Sequence, residues 1–231
     1  MITAHHLVFG RKYTQPIPTD YILTYDFNGN FNEKNGINNL VQNGTVTFTT
    51  DRKGGNTAIQ FGSGNLKTLN NLPSSPTWSI SLWVKNTVAQ RGQMFELSSN
   101  PEGTSGAFTF GNWDANNFRM LETVNQNHKS APNNVSTSIY DDTNWHHVVV
   151  IFDKNQTNGN DEIKLFLDGV QQTLHVINGQ NNNTTGNFIS NILYIGGRGN
   201  SYQYNYKGKA SDIKIFNRPL TQTEITNLYN E

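Results

Sequence analysis

Apolar and polar residues alternate in short runs along most of the chain, and the runs end at asparagine, glycine or aspartate. In residues 77–84 every second position is apolar, namely Trp78, Ile80, Leu82 and Val84. Residues 163–167 alternate in the same way and end at Asp168-Gly169, a pair that favours a two-residue hairpin turn. A period of two is typical of a strand with one buried face. No helical period separates these runs, so the sequence predicts an all-β, antiparallel sandwich or barrel.

Three further segments fit this pattern. Residues 145–152 contain a continuous apolar run, which is expected of a strand that is buried on both faces. Residues 213–216 alternate again, and residues 21–27 form the first clear strand. The strands therefore extend from the first quarter of the chain to its last.

One short helix is predicted, at the C-terminus. Thr221 and Glu224 have the spacing of a capping box, in which each side chain accepts a hydrogen bond from the other residue's backbone N–H. Ile225, Leu228 and Tyr229 follow at helical spacing. We expect this helix to pack its apolar side against the sandwich.

Residues 1–20 differ from the rest and are interpreted as an N-terminal arm that precedes one β domain over residues 21–231. Pro16 and Pro18 exclude regular structure just before the first strand. The residues predicted to anchor the arm in an assembly are Leu7, Val8, Phe9, Arg11 and Lys12. Two alternatives stay open: the arm packs on its own domain, or it docks into a neighbouring subunit by strand addition.

Composition excludes several classes of protein. The 231 residues carry 17 basic and 17 acidic side chains, so the basic surplus typical of nucleic-acid binders is missing. The mean hydropathy is -0.61, and no apolar run is long enough for a transmembrane helix. The chain has no cysteine, which excludes disulfides, thiolate metal sites and a cysteine nucleophile. About 35 asparagines fit a chain with many turns.

The strand segments carry a recognisable series of motifs. They are YDFNGN at 25–30, TDRKGGNTA at 50–58, WSISLWVK at 78–85, WHHVV at 145–149, LDGV at 167–170, YIGGR at 194–198 and YKGKASDIKIFNR at 206–218. In this order, and with Leu220-Thr221 and Glu224-Ile225 after them, they resemble the laminin G-like domains of the concanavalin A-like jelly-roll superfamily. The resemblance covers about residues 21–230. It implies two antiparallel sheets packed face to face and closed by the last strand and helix, and it leaves function open.

The sequence does not predict an enzyme. Glucanases with this fold carry a Glu-x-Asp-x-x-Glu strand motif that places two carboxylates on one face, and this spacing is missing here. Glu96, Glu102, Glu122 and Glu162 are predicted to lie apart from suitable partners. The pair Asp161-Glu162 is expected in a solvated turn. There is also no Gly-x-Ser-x-Gly nucleophile motif.

The resemblance implies a structural calcium ion, because related domains often hold one on acidic residues in the same turns. The candidate ligands are Asp51 and Asp212, with Asn56 and Asp26 behind them. The alternative is that these residues cap their own turns through their side-chain oxygens.

Aromatic residues in two loops are candidates for binding sugars, because a ring face stacks on apolar C–H groups while neighbouring polar groups bond the hydroxyls. Trp113 and Asp114 lie at a predicted hairpin tip, and Tyr202, Tyr204 and Tyr206 are predicted to share one face of an extended loop. Trp78, Trp83 and Trp145 are expected in the core. For Trp113, ligand binding, contact with another subunit and packing on a neighbouring loop stay open.

Two functions follow from these features. The first is a non-enzymatic bacteriophage virion decoration protein, on the head or tail, which is assembled in the host cytoplasm, bound to other subunits by its arm and displays a lectin-like domain for surface or glycan attachment. The start at Met1 without an export signal favours this hypothesis. The alternative is an extracellular carbohydrate-binding or adhesion module of a secreted bacterial protein.

Overall fold

Two eight-stranded antiparallel sheets face each other in the computed structural model of the chain. The structure describes residues 20, 22–87, 92–98, 106–114, 117–122, 127–131, 143–182, 184–199 and 204–231. The arm, apart from Asp20, lies outside these residues, so its predicted role is not tested. The sandwich predicted from the alternating pattern is confirmed.

The first sheet has the strand order β13-β12-β11-β6-β16-β4-β3, and β1 pairs with β16 beside β4. Its strands are β1 (Leu23–Tyr25), β3 (Val46–Thr49), β4 (Ala58–Phe61), β6 (Thr77–Asn86), β11 (His146–Asp153), β12 (Ile163–Leu167), β13 (Val170–Gln171) and β16 (Gly208–Phe216). The two longest of them, β6 and β16, lie side by side at the centre. β1 is shorter than the predicted strand over 21–27 because Phe27 adopts a φ of 50° and leaves the β region.

The second sheet has the strand order β14-β10-β9-β8-β7-β15-β5-β2. Its strands are β2 (Leu40–Asn43), β5 (Asn65–Thr68), β7 (Gly92–Leu97), β8 (Phe108–Asp114), β9 (Asn117–Glu122), β10 (Asn127–Ser130), β14 (His175–Asn181) and β15 (Leu193–Ile195). Consecutive strands β7 to β10 form a meander that makes up half of this sheet.

The hydrophobic core fills the space between the sheets. In β6 the alternation places Trp78, Ile80, Leu82 and Val84 in the core, as predicted. Phe108 of the second sheet stacks on Phe152 of the first, with ring centroids 4.6 Å apart. Aromatic contacts of this kind hold the two sheets in a fixed relation.

A second apolar layer covers the outer face of the first sheet. Helix α2 (Gln222–Tyr229) begins at the predicted capping box, in which Thr221 and Glu224 each bond the other's backbone N–H. Its Ile225 and Leu228 pack on sheet residues including Phe166 and Phe216. The predicted C-terminal helix is therefore confirmed, and its apolar side faces the sheet.

Local backbone geometry agrees with the predicted hairpin at the end of β12. Asp168 has a φ of 49° and Gly169 a φ of 80°, the positive values that a two-residue turn between twisted strands requires. The Asp168 carboxylate also accepts a hydrogen bond from the backbone N–H of His147 at 2.8 Å. The turn is thereby tied to the neighbouring strand β11.

One short helix was missed from the sequence. Helix α1 (Gly159–Glu162) starts after Asn158, whose side chain accepts a hydrogen bond from the backbone N–H of Asn160. The prediction of a solvated Asp161-Glu162 turn is wrong for Glu162, whose exposed fraction is 0%. The helix turns this side chain inward, between the sheets.

Candidate ligand-binding site

A row of side chains crosses the second sheet on the face turned away from the core. Strand alternation produces this row. Glu96 lies between the core residues Phe95 and Leu97, and Tyr194 lies between the core residues Leu193 and Ile195. The register of six adjacent strands aligns the row, which we call the cross-sheet row. Its members are Lys67, Tyr194, Glu96, Thr109, Leu121 and His128.

The middle of the cross-sheet row is shielded from solvent although it lies outside the core. Glu96 has an exposed fraction of 0%, and Thr109 and His128 are also buried. Lys67 and Tyr194, at one end of the row, are half-buried. Burying polar groups is costly unless they are hydrogen-bonded, so such a row is unusual on a surface that only faces water.

An ion pair holds the centre of the site. Arg198, in the segment after β15, places its Nε 2.7 Å from Oε2 of Glu96, and 7% of its side chain is exposed. The Tyr204 ring lies beside the same guanidinium, with 5.4 Å from the guanidinium carbon to the ring centroid. Burial raises the pKa of Tyr194, and the nearby Glu96 carboxylate adds a smaller effect in the same direction. These four side chains form one connected polar and aromatic group.

Glycines bring the Arg198 segment against the sheet. Gly196 has a φ of 79°, and a Cβ at this position would lie 2.1 Å from the Phe61 ring. A Cβ at Gly199 would lie 2.4 Å from the Tyr194 ring, so the segment passes directly over that ring. The Arg198 carbonyl accepts a hydrogen bond from Asn65 Nδ2 at 3.1 Å. The segment is therefore fixed at both ends of the arginine.

A second polar contact extends the site along β7 and β8. The Thr109 hydroxyl donates to Gln93 Oε1 at 2.8 Å, and Gln93 pairs with Asn205 in a bridge next to Tyr204. Half-buried Arg119 occupies the neighbouring strand β9, opposite Gly111. Amide, hydroxyl, guanidinium and phenol groups thus lie close together on one face.

The predicted sugar-binding residues are placed as follows. Tyr204 lies in the site, next to Arg198. Trp113 and Asp114 end β8, the strand that carries Thr109 of the cross-sheet row. Their side chains lie outside the described part of the chain, as does Tyr202. Tyr206 does not share a face with Tyr204: it is 2% exposed and packs edge-on against Phe61 in the core. The prediction of three tyrosines on one face is therefore wrong.

Trp78 is in the core as expected, whereas Trp83 is on the opposite face of β6. Its ring stacks on Tyr229 of α2 at 5.7 Å and supports the Arg52 guanidinium at 4.1 Å. Trp145 is half-buried just before β11. Trp83 is buried, as expected of a core residue, although it lies outside the inter-sheet cluster. The interpretation of Trp145 as a core residue needs correction, because it is half-buried and also lies outside that cluster.

The four candidate calcium ligands come from three segments that meet along β16. The β1–β16 ladder ends at Tyr25 and Ile213, which makes Asp26 and Asp212 the next pair of positions. Ala58, opposite Ser211, starts the strand after the 50–57 loop. That loop contains the other two candidates, Asp51 and Asn56.

The two central candidates already have partners. Asp51 accepts hydrogen bonds from the backbone N–H groups of Lys53 (2.7 Å) and Gly55 (3.0 Å) and from the Thr57 hydroxyl. Oδ2 of Asp212 lies 3.7 Å from Arg52 Nε, so a cation is already beside it. Within the described ranges, no group of three or more histidine or acidic side chains could hold a metal ion. These contacts match the turn-capping alternative, and calcium stays a prediction.

The bonds to Asp51 predict a moderate effect on stability. Burial opposes its ionisation, but the hydrogen bonds from Thr57, Lys53 and Gly55 outweigh burial and lower its pKa. Its contribution is therefore present above pH 3.8, the ordinary value, and is lost as the pH falls further. We expect Asp51→Ala to lower the free energy of unfolding at pH 7 by about 1–2 kcal/mol in urea denaturation. Asp26→Ala, at an exposed position, is the control and should change it by less than about 0.5 kcal/mol.

Two of the glutamates predicted to be isolated are in fact close together. The Thr184 hydroxyl lies 2.5 Å from Glu122 and 3.2 Å from Glu162. Both carboxyl groups have exposed fractions of 0% and lie between the sheets, away from the cross-sheet row. They are therefore not placed to contact a ligand on that face.

Sequence reasoning did not single out Glu96, Arg198 or Tyr194 as site residues. The available signal was an acidic residue between Phe95 and Leu97 in an alternating strand. Arg198 was noted only as part of a fold motif, because its partner Glu96 is 102 positions away and only the folded sheet brings them together.

No helix in the described part of the chain is long and apolar enough to cross a membrane.

Solved structures with the same fold include several binding domains. Domain 4 of AbnA, a GH43 extracellular arabinanase from Geobacillus stearothermophilus solved with arabinotriose, has a TM-score of 0.68 and 16% identity, over 91% of this chain and 98% of that domain. The receptor-binding domain of botulinum neurotoxin C/D mosaic serotype has a TM-score of 0.64 and 15% identity, over 91% of this chain. This chain spans only 51% of that domain.

A heptameric SAP-like pentraxin from Limulus polyphemus has a TM-score of 0.54 and 14% identity, over 78% of this chain and 79% of the pentraxin. No curated protein is similar in sequence to this chain. The family described as the concanavalin A-like lectin/glucanases superfamily matches residues 53–226, about three quarters of the chain. The chain therefore belongs to the concanavalin A-like lectin/glucanases superfamily, and its fold is lectin-like.

Proposed function

We propose that this protein is a non-enzymatic carbohydrate-binding module that holds an oligosaccharide on the cross-sheet row and the adjoining Arg198 segment. The observation that carries this proposal is the set of polar and aromatic side chains centred on Glu96, Arg198, Tyr194 and Tyr204. Glu96 is fully buried on the face away from the core and is paired by Arg198 at 2.7 Å.

The chemistry of this face suits a sugar. Tyr194 and Tyr204 are half-buried rings that each have the Arg198 segment on one side, and their remaining exposed surface can pack on the C–H groups of a pyranose or furanose. Half-buried Lys67 and Arg119 add ammonium and guanidinium donors on the same face, and such groups bond sugar hydroxyls. The pre-formed ion pair of Arg198 keeps its segment fixed before the ligand arrives, which lowers the entropic cost of binding.

The arabinanase domain supports the same proposal. It is the same size as this fold, with 98% of its length covered, and its structure holds arabinotriose. We therefore choose arabinotriose as the first probe, followed by an array of plant, bacterial and animal glycans. Virion decoration, the assembly partners of the arm and the location of the protein stay predictions from the sequence, because the anchor residues lie outside the described part of the chain.

Removing one ring of the site tests the proposal. We expect Tyr204→Ala to weaken binding of the best oligosaccharide by about two- to tenfold, because a stacked ring contributes about 0.5–1.5 kcal/mol. Tyr204→Phe keeps the ring face and should retain most of the affinity. Isothermal titration calorimetry measures both.

Tyr229→Ala is the matched control, because Tyr229 is 37% exposed on α2, on the outer face of the other sheet. The control should bind like the unmodified protein. Equal losses of affinity in Tyr204→Ala and Tyr229→Ala, or no loss of affinity in either variant, would contradict a sugar site on the second sheet.

A further inference from the structure

Two fully buried glutamates share a threonine at one end of the space between the sheets. Glu122 ends β9, opposite the core residue Phe108, and Glu162 ends α1. The Thr184 hydroxyl lies 2.5 Å from Oε1 of Glu122 and 3.2 Å from Oε2 of Glu162. Asn127, the cross-strand partner of Glu122, completes the group.

Glu162 is surrounded by donors. Its Oε1 accepts from the backbone N–H of Thr184 at 2.5 Å, and its Oε2 accepts from Asn127 Nδ2 at 2.9 Å. Asn127 Nδ2 also donates to the Gly159 carbonyl at 2.8 Å, which fixes the orientation of the amide. A carboxylate bonded only by donors is stable in its ionised form.

Glu122 has the opposite environment. Thr184 carries a single hydroxyl hydrogen, which cannot be donated to both glutamates at once. Oε2 of Glu122 is buried and receives no hydrogen bond from any described residue. Oδ1 of Asn127, on the opposite strand, is also buried and lacks a donor within the described part of the chain. The group therefore has surplus acceptors, and one added proton on Glu122 supplies the missing donor.

The balance of buried charges around Glu122 also favours one added proton on a carboxyl group. The charged groups around Glu122 are Glu162 of α1, Asp153 of β11 and Lys154 just after β11, and Lys129 of β10 lies near Glu162; all of them are buried. Lys154 Nζ lies 3.9 Å from Glu122 Oε1. Three carboxyl groups face two lysines, so the interior is neutral when one carboxyl group is protonated.

Asp153 is surrounded by hydrogen-bond donors. Its carboxylate accepts from the Thr77 hydroxyl at 2.7 Å, from the backbone N–H of Asn155 at 3.2 Å and from Gln156 Nε2 at 2.5 Å. All three partners are donors, as they are for Glu162. Among the three carboxyl groups, only Glu122 has an oxygen that no described donor reaches.

We propose that Glu122 is a proton-binding site and that its proton closes a latch between the two sheets, which loosens when the proton is lost in alkaline solution. The latch consists of Glu122 and Asn127 from the second sheet, Glu162 from the helix that precedes β12 of the first sheet, and Thr184 between them. When Glu122 is ionised, two buried carboxylates compete for one hydroxyl, and the chain segments that carry them repel each other.

The electrostatics of the site give the pH range. Burial, with a smaller contribution from Glu162, raises the pKa of Glu122 from 4.5 to about 7, although Thr184 and Lys154 oppose this. The folded state therefore binds this proton more tightly than the unfolded state. The resulting stabilisation is complete below pH 4.5 and is lost as the pH rises through about 7.

Two isosteric substitutions have opposite expected results. A glutamine amide is neutral like the protonated acid and supplies N–H donors in place of its O–H, so Glu122→Gln should stay stable at pH 9 and flatten the pH dependence of unfolding. Glutamine at 162 would turn an amide donor towards other donors, so Glu162→Gln should be destabilised at every pH. We expect the folding equilibrium constant of the unmodified protein to fall between pH 5 and 9 by on the order of a hundredfold more than that of Glu122→Gln.

Urea unfolding of the full chain at pH 5, 7 and 9 measures these effects. Equal pH slopes for the unmodified protein and Glu122→Gln would overturn the proposal, as would destabilisation of both variants at pH 5. Carbon-13 NMR of the glutamate side-chain carboxyl groups is the second measurement and needs no variant. One fully buried glutamate should titrate near neutral pH, and a spectrum in which every glutamate titrates near its ordinary value would contradict the latch.

Discussion

Arg198→Ala should lower the free energy of unfolding by about 3–5 kcal/mol, one of the two largest effects that the structure predicts. The substitution leaves the Glu96 carboxylate with an exposed fraction of 0% and without the guanidinium that neutralises it. A buried unpaired charge costs several kcal/mol, and raising the carboxyl pKa relieves only part of this cost. Urea or thermal unfolding at pH 7 measures the change.

Arg218→Ala is the matched control, which tests whether the large cost comes from burial of the ion pair and not from its short contact distance alone. Arg218 contacts Asp20 and Glu224 at 2.7 Å, the same distance as in the Arg198 pair, but 33% of its side chain is exposed. Arg218→Ala should therefore cost about 1 kcal/mol or less. Combining Glu96→Gln with Arg198→Gln should cost less than Arg198→Ala alone, because neither member of the buried pair then carries a charge. Equal effects of Arg198→Ala and Arg218→Ala would contradict the prediction, because they would show that the Arg198–Glu96 ion pair is open to water.

The second large effect is expected at Gly196, which begins the segment that carries Arg198. An alanine here would adopt a φ of 79° and place its Cβ 2.1 Å from the Phe61 ring, which packs on Tyr206. The left-handed conformation costs about 1–2 kcal/mol and overpacking costs about 1–3 kcal/mol. We expect Gly196→Ala to destabilise the fold by about 3 kcal/mol and to abolish binding by displacing Arg198.

Gly186→Ala isolates the backbone contribution to this result. Gly186 has a similar φ of 83°, but no atom lies within 4 Å of the position of its Cβ. Its substitution should cost only the conformational strain of about 1 kcal/mol and leave binding unchanged. If Gly186→Ala lowers the free energy of unfolding as much as Gly196→Ala does, close packing on Phe61 does not fix the segment that carries Arg198.

The period-two pattern and the capping box predicted most of the architecture because both are local signals. The alternation in residues 77–84 and the Thr221–Glu224 spacing each act within a few residues, and the structure has both as expected. The short strand β1 and helix α1 were mispredicted because Phe27 leaves the β region and Glu162 turns inward for partners in distant strands. These choices depend on tertiary contacts.

The candidate site was predicted only in part, for the same reason. Tyr204 was singled out as an aromatic loop residue, whereas Tyr206, two positions later, serves the core. Glu96 and Arg198 are far apart in sequence, and their pairing depends on the order of β7 and β15 in the sheet. The same holds for Glu122 and Glu162, which a search for closely spaced carboxylates could not bring together.

We propose that an oligosaccharide binds on the outer face of the second sheet. Titrating the isotope-labelled protein with arabinotriose, or with the best ligand from a glycan array, and following the backbone amide NMR signals tests it most directly. We expect the largest shifts at Lys67, Tyr194, Arg198 and Tyr204, with little change around Trp83 and Tyr229 on the opposite side of the molecule. Shifts confined to the loop of Asp51 or to α2 would contradict it.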